Sequence, residues 1–274
     1  MALTVNTNIA SINAQRNLNL TQVSLNKSLQ RLSSGLRINS AADDAAGLAI
    51  SEGMRANIRS MNQAIRNAND GVSLVQVAEG AMNEMSSILT RMRELTTQAQ
   101  NGTVSSAQRQ YISKEFTDLH AEITRISNAT DFNGKKLLNA SASVVKIQVG
   151  VGNKGYDGIC VDLRTGMSAG KLSVASTIST IGKASTMITK LDAAISKVSQ
   201  RRANLGAVQN RLQSVINNLQ VSMENTSAAE SRIRDTDVAA ETASLTRGQI
   251  LMQAGTAILS QANQLPQTAL SLLR

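Results

Sequence analysis

Few side chains of this chain have the types and spacing that catalysis requires. His120 is the sole histidine among 274 residues, and the letters LHAE around it do not match the H-E-x-x-H pattern of a zinc-binding helix. One histidine does not support a constellation of serine, histidine and acid. The adjacent acids Asp43 and Asp44 suit helix capping better than acid–base chemistry. We therefore predict that the chain is not an enzyme and that it holds no metal and no cofactor.

Two other features could suggest a phosphate-binding or metal site, but neither supports one. The glycine-rich stretch GVGNKG, residues 150–155, lacks a Walker lysine followed by serine or threonine, and no helix opens after it. We interpret it as a hairpin turn. Cys160 is the single cysteine, so it can neither form an internal disulfide nor join a second thiol around zinc.

The composition favours long helices with an aliphatic core. Hydrophobic residues make up 42% of the chain but aromatic residues only 1%, and Pro266 is the single proline. No run approaches the roughly 20 apolar residues of a membrane-spanning helix. The first letters, MALTVNTNIA, lack the basic start and apolar core of a secretory signal. We expect neither a membrane span nor such a signal.

Charge is basic overall and sparse at both ends. The formal net charge is +9, but lysine and arginine are scattered, mostly singly, with few aromatic residues between them, which is typical of a solvated surface. Residues 1–42 contain no acid, and after Glu241 only Arg247 and Arg274 are charged. We expect no nucleic-acid partner, although a basic coiled-coil protein that binds nucleic acid is the alternative from another class.

Aliphatic residues recur at helical spacing along most of the chain. The pattern predicts a long helix over residues 54–99, a shorter helix that folds back on it, and a second long helix over residues 187–223. Each end carries a further stripe with heptad character, which we expect to form an arm that seeks a helical partner. The arm residues are Leu18, Leu25, Leu29 and Leu32 near the N-terminus, and Leu245, Met252 and Leu259 near the C-terminus.

The period changes to two between the helical halves. The letters VVKIQVGV, residues 144–151, alternate apolar and polar side chains, and Ile159, Val161 and Leu163 repeat the alternation. This pattern predicts a β-hairpin with Cys160 on the face opposite the covered one.

The stretch LSSGLRINSAADDAAGLAI, residues 32–50, interrupts the helical pattern with small residues. Gly35 and Gly47 would let the backbone leave the helix, and Asp43 or Asp44 could cap the next helix or pair with a neighbour's arginine. A similar stretch precedes the C-terminal stripe, so the elements are arranged almost as a palindrome and the ends come together. A pair of charge-poor helices leaves most of its surface exposed, so we expect other copies of the chain to cover it.

Several stretches together resemble bacterial flagellin over nearly the whole chain. The letters LTVNTNIASINAQRNL, LSSGLRINSAADDAAGLAI, RANIRSMNQAIRNANDGVSLVQVAEGAMNE, RMRELTTQA and ATDFNGKKLL look like the N-terminal half of that family. KIQVG and ICVDL look like its hairpin, and ALSLLR looks like its C-terminal end. Only a short segment separates Leu163 from Ile188, so the variable outer region of many flagellins is missing. The chain is similar to a minimal flagellin.

The resemblance implies a mainly α fold, with a long antiparallel helical coiled-coil rod, a small β-hairpin region, and terminal helices that form an inner coiled-coil domain. Spokes connect the two, and the spoke residues are Gly35, Asp43, Asp44 and Gly47. The expected boundaries are an N-terminal arm at 1–33, a spoke at 34–47, two rod helices at 48–140, the hairpin and loop region at 141–175, the C-terminal rod helix at 176–227, a second spoke at 228–240 and the C-terminal arm at 241–274.

The resemblance also implies function and partners. Similar proteins assemble as a homopolymer into the extracellular flagellar filament used for swimming. They leave the cell through the flagellar export apparatus, and an export chaperone, a filament cap and hook-filament junction proteins are their partners. A hook-filament junction protein is the alternative within the same class, because it shares parts of both terminal regions.

The stretch RMRELTTQA resembles the part of flagellin that the flagellin-sensing Toll-like receptor of vertebrates reads. Arg91 and Leu95 match its positions and share one helix face, since they are four residues apart, and Glu115 matches an acid on the adjoining helix. We expect these three residues to form one patch that is open in the monomer. The patch would serve subunit packing in the filament and recognition by the host receptor.

Overall fold

The computed structural model describes residues 7–139, 142–164 and 166–271, with side chains up to residue 264. The outer ends of the two predicted arms, residues 1–6 and 272–274, lie outside the described residues. The fold is mainly α with two small antiparallel sheets, which confirms the predicted fold class. In chain order the elements are α1 (Ile9–Ser34), α2 (Ala45–Gln100), α3 (Ser106–Ala129), β1 (Asp131–Phe132), β2 (Lys135–Lys136), β3 (Val144–Gln148), a short 3-10 turn (Gly155–Asp157), β4 (Gly158–Asp162), α4 (Ile181–Arg234) and α5 (Val238–Ser271).

The chain divides into two compact units, and each unit takes segments from both halves of the sequence. The arm unit comprises Met1–Ala56 and Asn225–Arg274, and the central unit comprises Asn57–Glu224. Helices α2 and α4 each contribute to both units. The arm unit also contains α1 and α5, whereas α3 and both sheets belong to the central unit.

The core of the central unit follows a stripe of α2 in which buried residues alternate at three- and four-residue spacing. Side chains of α3, α4 and the β3–β4 hairpin complete this core. Alanine and glycine occupy several of these buried positions. The larger residues beside them, such as Ile65 and Val72, are only partly buried. Its members are Ala64, Ala68, Gly71, Val75, Ala78, Met82, Met85, Leu89 and Met92.

The β3–β4 hairpin has the predicted alternation. Val145 pairs with Val161 and Ile147 with Ile159 in an antiparallel register. Ile147, Ile159 and Val161 are buried, whereas Cys160 is exposed, as the period of two predicts.

A second, very short hairpin joins β1 to β2 and was not predicted. Asn133 and Gly134 form its turn with φ angles of 47° and 76°. Two consecutive residues with positive φ are typical of a type I′ turn, for which Asn-Gly is the preferred pair. The letters DFNGKK therefore carried a recognisable hairpin signal.

The C-terminal break is shorter than the spoke predicted at residues 228–240. Helix α4 continues to Arg234 and α5 begins at Val238, so only three residues leave the helical conformation. Alanine, serine, glutamate and arginine in NTSAAESRIR are compatible with helix, and the stretch contains no glycine or proline. Likewise α2 begins at Ala45, inside the spoke predicted at residues 34–47.

Gly71 and Gly80 give a matched test of how the hairpin rests on α2. A Cβ at position 71 would collide with Ile147 of β3, whereas a Cβ at position 80 would meet nothing within 4 Å. Gly80→Ala should raise the free energy of unfolding by about 0.5–1 kcal/mol, because alanine favours the helix. Gly71→Ala should lower it, because the side chain of Ile147 must move from its packed position. Urea unfolding followed by circular dichroism measures both, and equal stabilisation would show that β3 does not rest on Gly71.

Candidate functional site

A narrow seam joins α1 and α5 in the arm unit. Asn8 Nδ2 donates to the carbonyl of Ala262 at 2.7 Å, and Arg31 lies 3.6 Å from Glu241, so the two helices are antiparallel. The less exposed residues of both helices alternate at three- and four-residue spacing, as in a coiled coil. They are Ser11, Ala14, Leu18, Thr21, Leu25, Ser28 and Leu32 on α1, and Glu241, Leu245, Gly248, Met252, Gly255, Leu259 and Ala262 on α5.

Leucines of α1 pack against glycines of α5 in this seam. A Cβ on Gly255 would lie 2.9 Å from Leu18 Cδ1, and a Cβ on Gly248 would lie 3.3 Å from Leu25 Cδ1. Because glycine has no side chain, the two helices approach closely, and many Cα atoms of α1 lie within 8 Å of Cα atoms of α5. A helix pair this close covers only a narrow stripe of each helix.

Large apolar side chains outside the seam are exposed to solvent. Ile9 is 71% exposed, and α1 contains no acidic residue. Exposure of this kind is typical of a surface that binds another protein chain. The exposed apolar residues are Ile9, Ile12, Leu20, Val23 and Leu29 on α1, and Val238, Ile250, Leu251 and Ile258 on α5.

Leu29 is the one predicted arm residue that the structure places outside the seam. Its exposure is 47%, whereas the neighbouring Ser28 is buried. The alternation of three and four residues runs from Leu25 to Ser28 to Leu32, so Leu29 falls beside the stripe. The prediction followed hydropathy, but the phase of the repeat decides which residue faces α5. The other predicted arm residues lie in the seam, namely Leu18, Leu25, Leu32, Leu245, Met252 and Leu259.

The two breaks in the helical pattern pair with each other. Gly35 ends α1 with a φ of 72°, a left-handed conformation that favours glycine. Its carbonyl accepts a hydrogen bond from the N–H of Thr236 at 3.0 Å, and the N–H of Arg37 donates to the carbonyl of Arg234 at 2.6 Å. We call the paired residues 35–37 and 234–236 the connector.

Arginine side chains hold the connector to the ends of neighbouring helices. The guanidinium of Arg37 donates from Nη2 to the carbonyl of Ile233 at 2.6 Å, which satisfies a group at the C-terminus of α4. Arg234 Nη1 lies 2.8 Å from Oε1 of Glu52 on α2. This contact, followed by the charge of Arg55, lowers the pKa of Glu52.

Asp43 and Asp44 have different partners although they are adjacent. Oδ1 of Asp44 accepts the N–H of Gly47 at 2.9 Å and so caps the N-terminus of α2. Asp43 lies 2.8 Å from Nζ of Lys27 on α1. This ion pair, with help from the N–H groups of Ser40 and Asn39, lowers the pKa of Asp43 from 3.8 to about 2. Within one chain, the partner of Asp43 is therefore Lys27.

Gly47 serves close packing and not freedom of the backbone, so the reason predicted for this glycine is wrong. It lies in the first turn of α2, where the backbone is already helical. A Cβ there would lie 2.7 Å from Cδ1 of Ile38, which is buried. Gly35 alone of the two allows the chain to leave a helix.

The structure brings Arg91 and Glu115 together on the surface but buries Leu95. Nη2 of Arg91 lies 2.9 Å from Glu115, and Nη1 lies 3.1 Å from Glu94. The hydrogen bonds that Arg91 donates to Glu115, and then to Glu94, raise the pKa of Arg91. Leu95 is 2% exposed and belongs to the core of the central unit. The prediction of an open patch of three residues is thus wrong for Leu95, because the helix face that it shares with Arg91 turns partly towards the core.

Arg109 is a structural residue that the sequence analysis missed. Its side chain is buried and donates to the carbonyls of Ala99 at 2.8 Å and Val104 at 2.9 Å. These carbonyls belong to the end of α2 and to the turn that follows, where helical partners run out. The only signal was its position, four residues before Ser113 on the buried face of α3.

Neither a metal site nor a membrane span is found in the described part of the chain. Across residues 7–139, 142–164 and 166–271, no three side chains of His, Cys, Asp or Glu are grouped to hold a metal ion. Every helix in those ranges is too short or too polar to cross a membrane.

Two family descriptions match most of the sequence. Residues 5–143 match the bacterial flagellin N-terminal helical region, and residues 188–273 match the bacterial flagellin C-terminal helical region. A flagellin of Halalkalibacterium halodurans is 47% identical over 98% of this chain and 99% of its own length. A flagellin of Bacillus subtilis is 44% identical over 98% and 99% of the two chains. The crystal structure of Bacillus cereus flagellin aligns with a TM-score of 0.52 at 31% identity, and covers 56% of this chain and 88% of that one.

The ion pair of Asp43 and Lys27 should make stability depend on acid pH. The pKa of Asp43 is lower in the folded chain, so the pair stabilises the fold above the ordinary value of 3.8 and is lost as the pH falls to about 2. We expect Asp43→Asn to lower Tm by a constant amount between pH 5 and 7 and by less between pH 4 and 2. Thermal unfolding at each pH measures this. In a Lys27→Gln background the effect at pH 7 should shrink, and an unchanged effect would exclude Lys27 as the main partner.

Proposed function

This chain belongs to the bacterial flagellin family, and on that premise we propose that it polymerises through the outer faces of α1 and α5 into a flagellar filament that serves swimming. The chain is accordingly a structural protein and not an enzyme. The α1–α5 pair is the observation that supports this polymerisation surface. Leucine and glycine occupy its seam, while large apolar side chains remain exposed outside the seam. Neighbouring copies would remove that apolar surface from water.

The distribution of charge supports burial of these helices in a polymer. Burying a charge is costly unless it is paired. Helix α1 has no acidic residue, and Glu241, the acid of α5, already lies near Arg31. A neighbouring chain could therefore cover most of the pair without desolvating an isolated carboxylate.

Two different apolar faces favour an open filament over a closed dimer. The exposed residues of α1 and those of α5 lie on separate helices, so one face of one copy can bind the other face of the next. Contacts between unlike surfaces generate rings or helical filaments, whereas like surfaces generate closed dimers.

We further propose that the chain is delivered outside the cell by the flagellar export apparatus. An export chaperone, a filament cap and hook-filament junction proteins are the partners that membership of the family suggests. The exposed apolar faces of α1 and α5 support a chaperone, because a free chain with such faces is prone to premature association.

We also propose that the free monomer is recognised by the flagellin-sensing Toll-like receptor of vertebrates. Arg91 and Glu115 support this proposal, since their side chains are 52% and 47% exposed. Leu95 lies in the core beneath them and would act by holding α2 in place, not by contact with the receptor.

Charge placed on the outer face of α5 should block polymerisation without unfolding the monomer. Ile250→Glu and Ile258→Glu would each oblige a neighbouring copy to bury a carboxylate without a partner. We expect at least about a tenfold loss of filament growth rate, the ratio that corresponds to 1.4 kcal/mol. Light scattering after seeding and negative-stain microscopy measure it, and removal of residues 1–30 or 245–274 should abolish growth. Ile250→Leu is the matched control, and normal filaments from both glutamate variants would contradict the proposed surface.

Arg91→Ala and Leu95→Ala should differ in stability but both should weaken receptor signalling. Leu95→Ala leaves a cavity and should lower the free energy of unfolding by about 2–5 kcal/mol. Arg91→Ala removes an exposed ion pair and should leave Tm almost unchanged. Thermal unfolding and receptor-reporter cells treated with monomer measure the two effects. Full activation by folded Arg91→Ala monomer would overturn the receptor proposal alone, since filament growth is measured separately.

A further inference from the structure

A basic cavity lies in the central unit between the segment that follows β4 and the middle of α4. Its volume is about 450 Å³, within the range of small-ligand pockets. Its described lining contains no carboxylate, and it includes the cationic side chains of Arg164, Lys171, Lys197 and Arg201. The amide side chains of Gln200 and Asn204 add neutral donors.

Arg201 is the cation in this cavity whose environment is least favourable. Its Nη2 atom is buried and has no hydrogen-bond partner among the described residues. Burial lowers the pKa of Arg201, and the charge of Asp162 only opposes that effect. A buried donor without an acceptor is destabilising, so a turn of this guanidinium toward an oxygen ligand in the cavity would stabilise the folded chain.

Asp162 is the acid whose charge acts on Arg201, and its carboxylate already has a partner. Its two carboxylate oxygens accept hydrogen bonds from Arg164 at 3.1 Å and 2.9 Å. The pair of Asp162 with Arg164 therefore neutralises one cation. Lys171, Lys197 and Arg201 remain as an excess of positive charge around one half-open cavity.

We propose that this cavity binds a small anion that carries phosphate groups, with the guanidinium of Arg201 as the donor and Lys171 and Lys197 as charge partners. A guanidinium can donate to two oxygens of one phosphate, whereas a lysine acts as a point charge toward phosphate. Three cations without an ion-pair partner among the described residues suit a multiply charged ligand better than a carboxylate. The cavity has room for more than a single phosphate, so a diphosphate fits the same chemistry.

Isothermal titration of the full-length monomer with pyrophosphate tests this site. At constant ionic strength we expect saturable binding of one pyrophosphate per chain. Arg201→Gln should weaken the Kd by at least tenfold, and Lys197→Gln should weaken it severalfold. Lys190→Gln is the matched control, because Lys190 is an exposed lysine of the same helix outside the cavity lining and its change removes the same charge. Circular dichroism verifies that each variant is folded.

The outcomes separate a built site from general attraction to a basic surface. Absence of saturable binding would overturn the proposal, as would equal weakening by Lys190→Gln and Lys197→Gln. If Arg201→Gln does not fold, Lys197→Gln and a competition experiment still test the site. Acetate that displaces pyrophosphate as well as inorganic phosphate does would overturn the phosphate preference. Tighter binding of pyrophosphate than of phosphate would assign the site to a diphosphate, and equal binding would assign it to a single phosphate group.

Discussion

The close approach of α1 and α5 is the constraint on which the arm unit depends. Leu18 and Leu25 fit against Gly255 and Gly248, and a larger side chain at either glycine would crowd the leucine that faces it. Because the seam is narrow, most of the large apolar side chains of both helices stay outside it. The monomer and the proposed polymer thus use different faces of the same two helices.

The connector fixes the register in which this seam forms. Gly35 turns the chain out of α1 and receives the N–H of Thr236, so the two breaks are held side by side. Lys27 and Asp43 then tie α1 to the segment that leads into α2. Since a coiled-coil seam loses its pairing when one helix slides, a fixed connector at one end selects which leucine meets which glycine.

Periodicity in the sequence predicted the helices and the β3–β4 hairpin, because long aliphatic stripes and strict alternation survive in almost any context. It did not predict the phase of a seam made of small residues, which is why Leu29 was preferred to Ser28. Leu95 was misplaced because a four-residue spacing gives a shared face but not the depth of burial. Arg109 could not be recognised, since its acceptors are carbonyls brought near by the turn between α2 and α3. The Asn133-Gly134 turn, in contrast, was a local signal and could have been read.

Glycine in the seam also explains why the arms remain available for assembly. In a seam filled with leucine, helices pack about 8–10 Å apart and bury a broad stripe of large side chains within the pair. Here α5 offers Gly248 and Gly255 to α1, so its own Ile250, Leu251 and Ile258 point elsewhere. Ile250, Leu251 and Ile258 therefore lie on surfaces that only another chain can cover, whereas Leu245, Met252 and Leu259 pack in the seam. A helix that has glycines among its seam residues and isoleucines on its outer face can bind a partner helix on each side.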